Sequence, residues 1–145
     1  MTRLIYSLAF VVGVAAAGTP AFAQQSGNLR VEFQGPGGHS SGAYGRVSAL
    51  HAAARAVILI QQALPAGSYQ ITNLTGGNSV NAIASDGIIE LKLTAGSATA
   101  YQALVAAVTK AAAEGAAAEN AFRGVKTGDL TSGAPATVRS SVTRF

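Results

Sequence analysis

The residues able to do chemistry are few, and they sit mainly in two glycine-rich stretches. Gly38-His39-Ser40-Ser41-Gly42 matches GxSxG, the turn that exposes a nucleophilic serine between a strand and a helix. That mechanism needs an acid and then a histidine downstream of the serine. Here His51 follows Ser40 by eleven residues with no carboxylate between them, so Ser40 lacks a relay. Read as a nucleotide turn, Gly35-Pro36-Gly37 lacks the acidic residue expected ~20 positions later and has no P-loop lysine. What remains is a chain reversal between strand and helix carrying an exposed histidine, His39. The second stretch, Thr75-Gly76-Gly77-Asn78-Ser79-Val80-Asn81-Ala82-Ile83-Ala84, offers amide and hydroxyl groups at Ser79 and Asn81.

Composition narrows the chemistry further. The chain of 145 residues has six acidic residues, two histidines and no cysteine, which excludes a disulfide framework, a thiolate metal site and a cysteine nucleophile. A paired zinc site would need nearly all of those acids and histidines together. His51 reads as a helix-surface residue, since Val47 and Arg55 rather than ligands flank it one turn away. The ten basic residues never form a block, so the net charge of +4 is no nucleic-acid stripe. Tyr44 reads equally well as a packing aromatic or as part of a ligand edge.

These groups must be positioned by surrounding elements. Leu29, Val31 and Phe33 alternate with Arg30, Glu32 and Gln34, the period of a half-buried strand. From Arg46 to Leu64, Val47, Leu50, Ala54, Val57, Ile58, Gln61 and Leu64 recur at helical spacing, and Pro65-Ala66-Gly67 stops the run. Two further strands follow at Ser68–Thr75 and Gly87–Thr94. Ser97 caps a second helix, whose stripe runs through Tyr101, Leu104, Val105, Val108, Ala111 and Ala112 and which frays near Gly115. A short fourth strand falls around Phe122 to Leu130. The order βαββαβ predicts an α+β ferredoxin-like sandwich: a four-stranded antiparallel sheet with two helices on one face.

Residues 1–23 read as an export signal. Arg3 precedes the apolar run Leu4–Ala17, and Ala21-Phe22-Ala23 is a small-residue cleavage site. Those fourteen apolar residues fall short of the ~20 that span a bilayer, so no stable membrane anchor is expected. The domain is assigned to residues 24–130 and a C-terminal tail to 131–145, with the processed chain in a bacterial periplasm or outside the cell.

Together, Phe33–Gly42 with its following Ala-rich helix and Thr75–Ala84 resemble the GxGGHS and GGxSxNxI loops of the dimerisation (lid) domain of the M20 metallopeptidases. The resemblance covers roughly Leu29 to Ala134. It implies a lid that pairs with a second copy through an edge strand and a helix. It also implies a loop histidine that reaches into the partner's active site to stabilise a tetrahedral intermediate, here His39, and an asparagine that holds substrate, here Asn81, with Gly77 and Ser79 beside it. The family commonly has Pro after NxI and an arginine near the end of the third strand; those positions hold Ala84 and Thr94. No zinc-ligand motif or general-base glutamate pair is present, so the chain by itself is not expected to be a peptidase, and zinc would belong only to a partner catalytic chain.

The edge strand of this topology is Ser68–Thr75, with Tyr69, Ile71, Asn73 and Thr75 on the dimer edge and no Lys, Pro or acid to deter pairing. Ala52, Ala53, Ala56 and Leu59 are assigned to the outer side of the first helix, small enough for contact with another copy, although an Ala-rich composition alone would also produce them. Three functions fit: a stand-alone homodimeric module that binds a peptide-like ligand, a lid subunit or fragment of a zinc-dependent exopeptidase with its catalytic domain on another chain, or a generic small-ligand binder.

Overall fold

The computed structural model describes residues 24–145; the signal-peptide assignment lies outside the described residues. In chain order the elements are β1 (Gln25–Gln34), β2 (Gly38–His39), α1 (Ser40–Ala43), α2 (Ala49–Ala63), β3 (Tyr69–Thr75), β4 (Ala82–Ile83), β5 (Asp86–Ala95), α3 (Ala98–Phe122), β6 (Leu130–Thr131), β7 (Ala134–Pro135) and β8 (Arg139–Arg144). Four of them form an antiparallel sheet in the order β3-β5-β1-β8, with α2 and α3 packed on one face. This is the expected ferredoxin-like sandwich.

The core follows the two strand alternations. Leu29 pairs with Leu91 and Val31 with Ile89 across β1 and β5, so their side chains leave the sheet on the same side, under the helices. The opposite face carries Arg30, Glu32 and Glu90, with Arg30 Nη1 donating to Glu90 Oε1 at 2.7 Å. The helices begin at serine caps: Ser48 Oγ accepts the His51 N–H at 3.4 Å and Ser97 Oγ the Ala100 N–H at 3.2 Å.

Three expectations are corrected. Ala52, Ala53 and Ala56 are not on the outer side of α2; each is fully buried between α2 and α3. Ala54, Ile58 and Gln61, read as stripe residues, face outward instead. Both faces of α2 are apolar, so periodicity could not choose between them. Nor does α3 fray at Gly115. A Cβ there would lie 2.8 Å from the Ala52 carbonyl oxygen and from the Ala56 Cβ, so the glycine is what lets the two helices approach.

The third correction concerns the last strand. Residues around Phe122–Leu130 end α3 and turn, whereas β8, inside the segment read as a tail, completes the sheet against β1. Asn120 on α3 guides the chain into it: its Nδ2 donates to the Val138 carbonyl at 2.9 Å and its Oδ1 accepts the Val138 N–H at 2.8 Å. These reciprocal bonds satisfy the backbone just before β8 as a neighbouring strand would.

Candidate functional site: the His39 and Asn81 loops

The two glycine-rich stretches lie against each other at the end of the sheet. Gly38 pairs with Ile83 and His39 with Ala82 in a two-stranded ribbon. Around it, the Gly35 N–H donates to the Ser85 carbonyl at 2.8 Å, the Ser40 N–H to the Asn81 carbonyl at 2.8 Å, and the Ala49 N–H to the Ala84 carbonyl at 3.0 Å. The glycines are required for this closeness. Gly38 has φ +139°, and a Cβ on it would stand 2.6 Å from the Ala43 Cβ; a Cβ on Gly76 would stand 2.5 Å from the Asp86 carbonyl oxygen.

His39 caps the single turn of α1. Its Nδ1 accepts the Ser41 N–H at 3.2 Å and lies 2.8 Å from Ser41 Oγ. Its Nε2 lies 2.9 Å from the side-chain amide of Asn81, whose other end meets the Ser79 hydroxyl. It is the Asn81 Nδ2 that faces His39 Nε2, while Asn81 Oδ1 accepts the Ser79 hydroxyl. The ring is thus held at both nitrogens, by Ser41 and by Asn81, while its edge stays exposed beside the Asn81 amide. Gly77 opens the second loop, its N–H donating to Asp86 Oδ1 at 3.3 Å.

The site residues expected from sequence therefore divide. His39, Ser79 and Asn81 form one hydrogen-bonded constellation, with Gly77 at its loop entrance. Tyr69, Ile71, Asn73 and Thr75 lie on β3, an edge of the sheet, but they do not share one side. A bulge between Ile71 and Asn73 shifts the register, so Ile71 opposes the core residue Leu91, whereas Asn73 opposes Glu90 on the open face. Leu74, 44% exposed, takes the helix side instead, the same side of the sheet as the outward-facing Ile58.

Residues not singled out from sequence complete the support. Asp86 anchors the second loop, Arg46 Nη1 donates to the Gly37 carbonyl at 3.3 Å, and Glu119 is fully buried beneath the start of α2. Glu119 carried a usable signal, because it is a charge falling on the buried stripe of α3 with Val108, Ala112 and Gly115. His51 is exposed at the surface of α2, with Nδ1 3.7 Å from Glu119 Oε1, and Tyr44 is 91% exposed. Among the described residues no three His, Asp or Glu side chains gather into a possible metal site, and around His39 the neighbours are hydroxyl and amide groups, unsuited to holding zinc. Among the described residues no helix is long and apolar enough to cross a membrane.

Comparison with known proteins agrees with this architecture. Residues 24–120 match the family model of the peptidase dimerisation domain of the M20 family. An aminobenzoyl-glutamate utilization protein from Klebsiella pneumoniae superposes with a TM-score of 0.61 at 16% identity, over 88% of this chain and 31% of that one. A tripeptidase from Staphylococcus aureus superposes at 0.60 and 17% identity, over 83% and 29%. A hydantoinase/carbamoylase family amidase from Burkholderia ambifaria superposes at 0.61 and 19% identity, over 86% and 28%. At such identities the likeness is one of fold, and the chain spans less than a third of the length of these structures. No curated protein matches the sequence. Taken with the paired glycine loops and the β3-β5-β1-β8 sheet, the match over residues 24–120 establishes that the chain belongs to the M20 peptidase dimerisation domain family.

Proposed function

We propose that the chain is an exported module, noncatalytic by itself, that forms a homodimer through β3 and the outer face of α2 and presents His39 and Asn81 to a peptide-like ligand. The observation that carries this reading is the asymmetry of the two sheet edges. On β8, Arg139 and Arg144 flank the edge, and charge of this kind deters pairing. On β3, Tyr69–Thr75 has no charge or proline, and Leu74 and Ile58 (54% exposed) add apolar surface beside it. The noncatalytic part rests on the matched segment being the dimerisation domain alone. Export rests on the sequence pattern of residues 1–23, and in this reading the module itself takes no cofactor.

A second reading is favoured by the His39–Asn81 pair. An exposed imidazole beside a side-chain amide is useful where an oxyanion develops, which requires an activated nucleophile that this constellation lacks. In that reading the chain is the lid of a zinc-dependent hydrolase whose catalytic domain lies on another chain.

Light scattering of the protein purified from its native cells, with zinc measured on the same sample, separates the two. A zinc-free homodimer supports the stand-alone module. A larger zinc-bearing hetero-complex supports the lid subunit, and a zinc-free monomer rejects both in favour of a generic binder.

A further inference from the structure

β8 is the other free edge of the sheet, and its backbone is open to a partner. The Phe145 N–H donates to the Asn28 carbonyl at 3.3 Å, which fixes the phase of the β1–β8 ladder. Arg139, Ser141 and Thr143 therefore turn their N–H and C=O groups toward β1, and Ser140, Val142 and Arg144 turn theirs outward. Val138 belongs to the outward set as well, but both of its groups are taken by the Asn120 side chain. Asn120 thus closes one end of the edge and leaves about 20 Å open from Arg139 to Arg144.

The charges along this edge have one sign. Arg139 lies on the open face opposite Gln34, whose Oε1 accepts from its Nη2 at 3.3 Å. Arg144 lies on the helix side, where its Nη2 donates to Gln102 Oε1 at 2.7 Å and its guanidinium carbon sits 5.6 Å from the centroid of the Tyr101 ring. Among the described residues neither arginine forms an ion pair, so the groups that orient them leave their charge uncompensated. β8 itself has no acid, and the one acid of β1, Glu32 opposite Ser141, is held by Arg30 Nε at 2.6 Å.

We propose that this edge receives an extended acidic segment of a partner protein as a fifth strand of the sheet. The backbone of that segment bonds to Ser140, Val142 and Arg144, and an acidic side chain near each of its ends meets Arg139 and Arg144. A second copy is the poorer occupant, because two β8 strands would bring two arginines each onto one ribbon with no acid among them. Charges that keep like edges apart select an opposite one. The surface lies across the sheet from β3 and includes no residue of the His39 and Asn81 loops, so the inference stands apart from both.

The test is titration of the full chain at low salt with capped six-residue peptides, alternating threonine and valine between two end residues that are both glutamate, both glutamine or both lysine. Calorimetry gives the affinities, and amide hydrogen exchange read by NMR locates the peptide. The glutamate peptide should bind about tenfold more tightly than the glutamine one, the combined worth of two exposed ion pairs, with the lysine peptide weakest. That advantage should shrink at ~1 M salt. Exchange should slow at the Ser140, Val142 and Arg144 amides and not on β3. Arg139→Glu combined with Arg144→Glu should reverse the order of the glutamate and lysine peptides. Equal binding of the three peptides, no binding, or protection on β3 instead of β8 overturns the proposal. Protection of the β8 amides on raising the protein concentration without peptide would mark a second copy as the occupant and overturn it too. If the double variant fails to fold, the peptide series and the exchange pattern on the unmodified chain still decide.

Discussion

The carboxylate of Glu119 accepts the backbone N–H of Ser48 at 3.1 Å, joining the end of α3 to the cap of α2 across 71 residues of sequence. Ser48 is followed by Ala49, whose N–H is bonded to the 76–84 loop, so this single buried acid sets where the loops meet the helix layer. Removing it leaves Arg55 and Arg123 without their partner and the Ser48 N–H unsatisfied. Breaking a buried pair costs up to ~3–5 kcal/mol, and the partial exposure of both arginines places Glu119→Ala at about 3 kcal/mol. Glu114→Ala, which removes an exposed partner of Lys110, should cost no more than about 0.5 kcal/mol. Urea denaturation midpoints of the two variants check this; similar midpoints would deny Glu119 its role.

Gly115→Ala sets helix propensity against packing. Alanine in a helix gains about 1 kcal/mol over glycine. The new methyl would meet the Ala52 carbonyl, backbone that cannot rotate away, and overpacking costs ~1–3 kcal/mol. A net loss of about 1 kcal/mol is expected, read from thermal unfolding. A stabilised variant would show that α2 and α3 can separate without cost.

The dimer should depend on the outward face of α2 and on Leu74. Ile58→Glu combined with Leu74→Lys alters residues that are 54% and 44% exposed, so the fold should survive and light scattering should report a monomer. Ile71 is a poorer target, because it packs against the core. A dimer of unchanged mass would refute the proposed interface.

His39→Ala removes only an exposed side chain and the cap of a one-turn helix. The stability loss should be about 0.5–1 kcal/mol, within the usual range for a cap. If a catalytic chain exists, activity of the reconstituted complex should fall while dimer mass stays constant; equal activity would take His39 out of the mechanism.

Deleting residues 131–145 tests the strand hidden in the apparent tail. The deletion exposes the edge of β1, removes the buried side chain of Val138 from the core and leaves the Asn120 amide without its backbone partners. The truncated chain should be aggregated or unfolded by circular dichroism, whereas a removable tail would leave the spectrum and solubility unchanged.

Sequence alone determined what local pattern can determine. Alternation placed β1 and β5, Ser97 marked the start of the second long helix, and the pair of glycine loops pointed to one constellation containing His39, Ser79 and Asn81. The tertiary structure decided everything that required comparing surfaces. An Ala-rich α2 is apolar all round, so only its packing on α3 shows that Ala52, Ala53 and Ala56 face inward and Ala54 and Ile58 outward. The bulge in β3 reverses which side chains share a face, and no residue type in Ile71-Thr72-Asn73 announces it. β8 escaped notice because an edge strand needs little more than Ser140 and Val142 toward the core, a composition that otherwise reads as linker. Its place is set by the Asn120–Val138 bonds and by the open edge of β1, partners far from it in sequence. Burial of Glu119 is likewise a property of three converging elements and not of its own helix.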